Sequence, residues 1–307
     1  MVRRILTALL VATLALTTAL TSANGAAATS SNGPGYRHGH GHGHGQGHGQ
    51  GQGHGHGHRH RHGRQILNVM TFNIHHAVGT DDVLSPERIA QVIKKSGADV
   101  VGLEEVDNHY SERSDWADQA AVLSRLTGFH VTFGANIDQA PPAGSKHRIQ
   151  YGTAILSRYP IVASKNIHLD GSPGEEQRGL LSATLNVHGK KVSFNTTHTS
   201  ASSQHDRLSQ SQQILGLIGD TDPAILVGDL NAEPDDPEVQ ALTSVYTDTW
   251  TAAGDGGAGL TYPSEGPTKR IDFVLTTGAV EPLSSRVVDD TPEASDHLPV
   301  ITRIRLT

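Results

Sequence analysis

The chain has 307 residues, with 24 basic and 31 acidic side chains and a formal charge of −7. That acidity is confined to one part: residues 1 to 63 hold five Arg and no Asp, Glu or Lys, leaving 19 basic against 31 acidic residues, a balance of −12, in positions 64 to 307. The absence of cysteine excludes a disulfide scaffold, a thiol nucleophile and Cys-ligated zinc or iron–sulfur sites, so any metal must rest on His, Asp, Glu or Asn.

In chain order, Arg3 and Arg4 precede an apolar run over 5–20, and small residues follow around Ala23 and Ala26. This is the order of a secretory signal, assigned to residues 1–28. A membrane-spanning helix is the competing reading, but Thr7, Thr13, Thr17 and Thr18 interrupt the run, which favours cleavage and a secreted product without a transmembrane anchor. Residues 29–64 form a His/Gly-rich linker, with ten of the 20 histidines between His38 and His62. Such a tract has too little apolar surface to fold. Two readings stand: a ligand for Ni2+, Zn2+ or Cu2+, or a flexible protonatable spacer.

Residues 65–307 read as one catalytic domain. A helix opens with Ser85 as N-cap and Pro86 at its first position, carries Lys94 and Lys95 late and stops at Gly97. Further helices are expected over about 114–127, over 205–218 and from Asp236–Pro237. Strands are expected over 66–73, 99–105, 151–156, 180–187, 191–198, 224–229, 270–275 and 299–306, and the pair flanking Gly189 suits an antiparallel hairpin. Helices interleaved with hairpins imply mixed sheets.

Polar groups gather at the ends of these apolar strands: Asn73, Glu104 and Glu105, His198, Asp229 and Asn231, Asp272, and the Ser295–Asp296–His297 run. A buried strand ending in a carboxylate or amide must place it where it is solvated, paired or metal-bound. Singly, such residues are more often turn caps or hydrogen-bonded structural groups; six in one chain point to a shared site.

The ordered motifs MTFNIHH, VVGLEEVD, YGTAILSRYPI, NTTHTS, LVGDLNAEP, KRIDFVL and SDHLPV resemble the endonuclease/exonuclease/phosphatase superfamily across residues 66–307. The resemblance implies an α+β fold: a four-layer α/β/β/α sandwich of two mixed sheets with helices on both outer faces. It implies that Glu105, Asn73 and Asp296 hold Mg2+ or Mn2+. Asp229 and Asn231 then align the attacking water and the phosphate, His198 contacts the phosphate, Asp272 and His297 act as a pair, and Tyr151 touches substrate. Arg178 is added as a phosphate contact. Glu104 stands where relatives carry glutamine; since consecutive strand side chains face opposite ways, Glu105 is expected to be the ligand and Glu104 to be paired elsewhere. His75 and His76 read as packing or surface residues, with a second metal or phosphate contact as the alternative.

These residues suit water attack on a phosphodiester or phosphomonoester, in which a hard cation offsets charge on the phosphate oxygens. Two readings of the base stand open: Asp229 accepts the water's proton, or His297, oriented by Asp272, does so instead or donates to the developing oxyanion. A secreted nuclease for DNA or RNA and a sphingomyelinase-like lipid phosphodiesterase remain as alternatives. Nucleic acid is disfavoured by the −12 balance, because duplex binding draws on Lys and Arg. A monomer is expected. From a different class, a metal-sequestering surface protein would act through the His/Gly tract alone.

Overall fold

The computed structural model describes residues 65–307; the expected export signal and His/Gly tract lie outside the described residues. Strands β1 (Gln65–Asn73) and β2 (Val100–Asn108) run parallel, so the chain between them must cross over. It does so through α1 (Pro86–Ser96), where the Ser85 hydroxyl accepts from the Arg88 N–H at 3.2 Å and Gly97 closes the helix at φ 77°. Helix α2 (Gln119–Thr127) is shorter than expected. Asp118 caps it, and Ser114 instead ends a single 3-10 turn, because Asp115 and Trp116 both take left-handed backbone angles that break the helix.

Strands β3 (His130–Gln139) and β4 (Ile149–Ser157) follow, then β5 (Ile161–His168), β6 (Gly179–Val187) and β7 (Lys190–His198). Helix α3 (Gln204–Ile218) returns the chain to β8 (Ala224–Asp229), again parallel to its predecessor. Helix α4 (Pro237–Thr243), the short β9 (Thr247–Asp248), α5 (Thr249–Ala253), β10 (Asp272–Thr276), β11 (Val280–Val287) and β12 (Val300–Leu306) complete the described residues. Two six-stranded sheets result, ordered β11-β12-β1-β2-β4-β3 and β5-β6-β7-β8-β10-β9.

Three apolar layers hold the sandwich together. Met70, Phe72, Ile89, Ile93 and Leu123 pack α1 and α2 on the first sheet. Leu180, Ile214, Leu226, Leu242 and Phe273 pack α3 and α4 on the second. Between the sheets lie Leu67, Val69, Val100, Leu181, Phe194, Val227 and Ile304. The four-layer α+β architecture is thus the one expected. Sheets pack about 10 Å apart through interdigitating side chains, and one position permits closer approach: a Cβ on Gly102 would lie 2.4 Å from Val227 Cγ2.

The inner faces of the four central strands change character along their length. On β1 they read Leu67, Val69, Thr71, Asn73; on β2 Val100, Gly102, Glu104; on β7 Val192, Phe194, Thr196, His198; on β8 Ile225, Val227, Asp229. Period-two alternation therefore puts the apolar halves in the inter-sheet core. The polar residues collect at the C-terminal ends of two parallel pairs that face each other. No helix among the described residues is long and apolar enough to cross a membrane.

Candidate active site

The strand ends open into a cavity of about 620 Å³ lined by Glu105, Tyr151, Arg178, His198, Asp229, Asn231, Asp296 and His297. Glu105 reaches it through a defect in β2. The pairing with β4 slips between Leu103 and Val106, and Glu105 itself takes φ 58°. A bulge of this kind re-aims a side chain at the cost of about 1–2 kcal/mol for the left-handed residue. The Asn73 Nδ2 group donates to Glu105 Oε1 at 3.1 Å and to Asp229 Oδ2 at 3.0 Å, so one amide ties the two sheets together. Its Oδ1 accepts from the His75 N–H at 3.1 Å; the amide therefore presents its NH2, not its oxygen, to the two carboxylates.

Glu104 goes the other way. It is fully buried between the sheets, and its carboxyl meets the hydroxyls of Thr71 at 3.3 Å and Thr196 at 2.5 Å. Burial pushes its pKa up to about 8, against the hydroxyl contacts and with reinforcement from Asp272 and Asp229.

Asp229, Asp272 and His297 form the buried heart of the site. His297 Nδ1 is 2.9 Å from Asp272 Oδ2, and its Nε2 is 3.6 Å from Asp229 Oδ2. Burial disfavours the imidazolium, but Asp272 and Asp229 outweigh it and raise His297 to about 10. Asp229 is raised by burial and by Asp272 to about 7, against the pull of His297 and the bonds from Asn231 and Asn73. Asn231, in the left-handed region that Asn tolerates, directs its N–H to Asp229 Oδ1 at 2.9 Å. Its Nδ2 donates to His198 Nε2 at 2.9 Å and to the Thr199 carbonyl at 3.2 Å. His198 also lies 3.4 Å from Asp229, yet this is no ion pair. Burial, Arg178 and His297 hold its pKa well below the usual value, and its Nε2 lone pair is needed to accept from Asn231.

Ser295 ties the last segment in by donating to the Asn73 carbonyl at 2.7 Å, which places Asp296 and His297 over the end of β1. Arg178 is buried, pairs with Glu176 at 2.9 Å and leaves its Nε without a partner among the described residues. Tyr151 stacks against Tyr110 with ring centroids 5.7 Å apart. All ten residues singled out in the sequence thus meet at one end of the sandwich. Sequence reasoning missed Glu176, Tyr262 and Lys269, which also line the cavity. They lie outside the named strands and helices, where no period marks them; the only signals were that Glu176 stands two residues before Arg178 and that Lys269 opens the KRIDFVL motif.

His75 and His76, read from the sequence as packing or surface residues, lie beside Glu105. One ring nitrogen of each and one Glu105 oxygen lie within 4.8 Å of one another. Burial, Arg113 and His75 lower His76 to about 4.

The donor set fits a divalent cation. Glu105 receives no side-chain hydrogen bond except that of Asn73 among the described residues, Asp296 meets only the Ser295 hydroxyl at 3.4 Å, and Asp272 Oδ1 is buried without a partner. Carboxylates converge here in excess of the cations available to balance them.

A four-layer sandwich with carboxylates and a buried imidazole–carboxylate pair at the mouth of its facing sheets defines a class of phosphoester hydrolases. The Endonuclease/Exonuclease/phosphatase family matches residues 70–297, and the chain belongs to it. An endonuclease/exonuclease/phosphatase from Beutenbergia cavernae superposes with a TM-score of 0.69 at 30% identity, over 79% of this chain and 72% of that one. A mannosyl-6-phosphatase from Bacteroides thetaiotaomicron gives 0.64 at 19% identity, over 78% and 99%. The catalytic domain of human Nocturnin, with a bound sulfate anion, gives 0.59 at 22%, over 80% and 98%. These last two likenesses concern the fold. The cwh43 protein of Schizosaccharomyces pombe is 29% identical over 159 residues, which cover 51% of this chain and 15% of that protein.

Proposed function

We propose that this phosphoesterase is an exported, divalent-metal-dependent enzyme that hydrolyses a phosphoester by direct attack of water. The observation that carries the reading is the Glu105–Asn73–Asp229–His297–Asp272 chain of contacts, which joins both sheets at a single cavity. Glu105 and Asp296, with the Asn73 amide turned to offer its oxygen, would hold Mg2+ or Mn2+. When bound, such an ion supplies positive charge to the phosphate oxygens and to the leaving alkoxide.

The chain's own residues divide the remaining work. Asp229, poised near neutrality, takes the proton of the attacking water, and Asn231 aligns that water and one phosphate oxygen. His297 is kept protonated by the carboxylates on either side of it, so it donates to the phosphate and does not act as the base. Asp272 fixes the imidazole's orientation. His198 and Arg178 contact the phosphate, and Tyr151 walls the substrate side.

Small phosphoesters suit a carboxylate-rich cavity of about 620 Å³ better than a long polyanion, which needs a run of cationic contacts. The test is a substrate panel of sugar phosphates, inositol phosphates, sphingomyelin, RNA and plasmid DNA, each with Mg2+, Mn2+, Ca2+ or chelator. Turnover on at least one phosphoester, lost with chelator and lowered at least 100-fold by Glu105→Gln, is expected. Turnover that survives both treatments sinks the proposal.

A further inference from the structure

The loop after β1 makes three consecutive left-handed residues, His75, His76 and Ala77, at φ 44°, 43° and 61°. Each costs about 1–2 kcal/mol for a residue with a Cβ, and such strain persists only where surrounding contacts over-determine it. They do so here. The buried Gln119 amide donates to the His76 carbonyl at 2.6 Å, the Ser85 N–H donates to the Ala77 carbonyl at 2.8 Å, and the His75 N–H is held by Asn73.

The effect is to turn two imidazoles toward the carboxylate of Glu105, whose own φ of 58° turns it toward them. The rings sit edge to face with centroids 4.4 Å apart. His75 Nδ1 lies 3.1 Å from the Val78 carbonyl, to which it donates, so the Nε2 lone pair is left free. A ring bonded in this way through its second nitrogen is the usual state of a metal-ligating histidine. His76 Nδ1 is buried and has no hydrogen-bond partner among the described residues, a cost that an ion bound at that nitrogen would remove.

We propose that His75, His76 and Glu105 together bind a first-row transition ion, Mn2+, Co2+ or Zn2+, in preference to Mg2+. This rests on the reading of Glu105 as a metal ligand and changes the chemistry of the ion it takes. Two imidazoles and one carboxylate form a set that suits zinc with an open position, whereas Mg2+ prefers oxygen donors and retained water. Donor atoms up to 4.8 Å apart need only small side-chain rotations to reach bonds of about 2.0–2.2 Å.

The test is anomalous diffraction from crystals of the full chain soaked separately in Mn2+ and Zn2+, which locates ions independently of any turnover and of ions on the His/Gly tract. A peak bonded to both imidazoles and Glu105 is expected. A peak at Glu105 and Asp296 that avoids both histidines overturns this inference and leaves the hydrolytic reading standing; no peak near Glu105 overturns both. As a second measurement, the double variant H75N/H76N keeps residues that tolerate left-handed angles. The ratio of its turnover with Mn2+ or Zn2+ to that with Mg2+ should fall at least tenfold relative to the unaltered protein. An unchanged ratio contradicts the proposal.

Discussion

His297 faces Asp229 across 3.6 Å with Asp272 behind its other nitrogen, and this arrangement fixes the sign of the pH response. In the proposed mechanism Asp229 acts only after losing its proton, so turnover should rise as the pH passes about 7. The same mechanism needs His297 protonated, so turnover should fall as the pH passes about 10. A bell-shaped profile of kcat/KM with these limbs is the expected result, and Asp229→Asn should abolish the acid limb and cost about 100-fold or more in rate. Glu104 makes a separate prediction about stability. Its folded value, about 8, lies above the ordinary 4.5, so its contribution is fully present below the ordinary value and is lost as the pH rises through about 8. Glu104→Gln should therefore change unfolding free energy little at pH 4.5 and raise it by about 1–3 kcal/mol at pH 9, as measured by denaturant titration. That Glu104 and Glu105 face different ways was legible from strand alternation. The left-handed turn of Glu105 and the approach of His75 and His76 were not, because backbone strain imposed by distant contacts leaves no local pattern.

At the scale of elements, the eight strands evident in the sequence are the inner members of the two sheets, β12, β1, β2 and β4 in one and β6, β7, β8 and β10 in the other. The strands that escaped notice, β3, β5, β9 and β11, are the four edges. The physical reason is burial. An inner strand covered on both faces must be apolar, while an edge such as β5, with Ser164 and Lys165 exposed, keeps polar side chains that discourage pairing with other chains. The same logic explains why the site was visible: polar residues ending inner strands stand out, whereas Glu176, Tyr262 and Lys269 on loops do not. Gly102 belongs at this scale too. Its absent side chain lets β2 approach β8, and Gly102→Val should destabilise the fold by about 1–3 kcal/mol or more through overpacking against Val227 and Thr196, seen as a lowered Tm.

For the whole molecule, every residue of the proposed chemistry lies within 73–297, so the proposed reaction draws on no residue of the His/Gly tract. Deleting residues 33–63 should leave kcat and KM for the phosphoester substrate within about twofold of the full chain; a loss beyond tenfold would place the tract in catalysis. The chain enters the first sheet with β1 to β4, leaves it to build the second, and returns with β11 and β12. Strand β12 then inserts between β11 and β1, bringing Asp296 and His297 with it. A chain truncated before residue 295 would therefore leave one flank of β1 unpaired and lack the imidazole that bridges Asp272 and Asp229. Closing the first sheet and completing the proposed site would thus be one event, and such a truncated chain is expected to show no turnover.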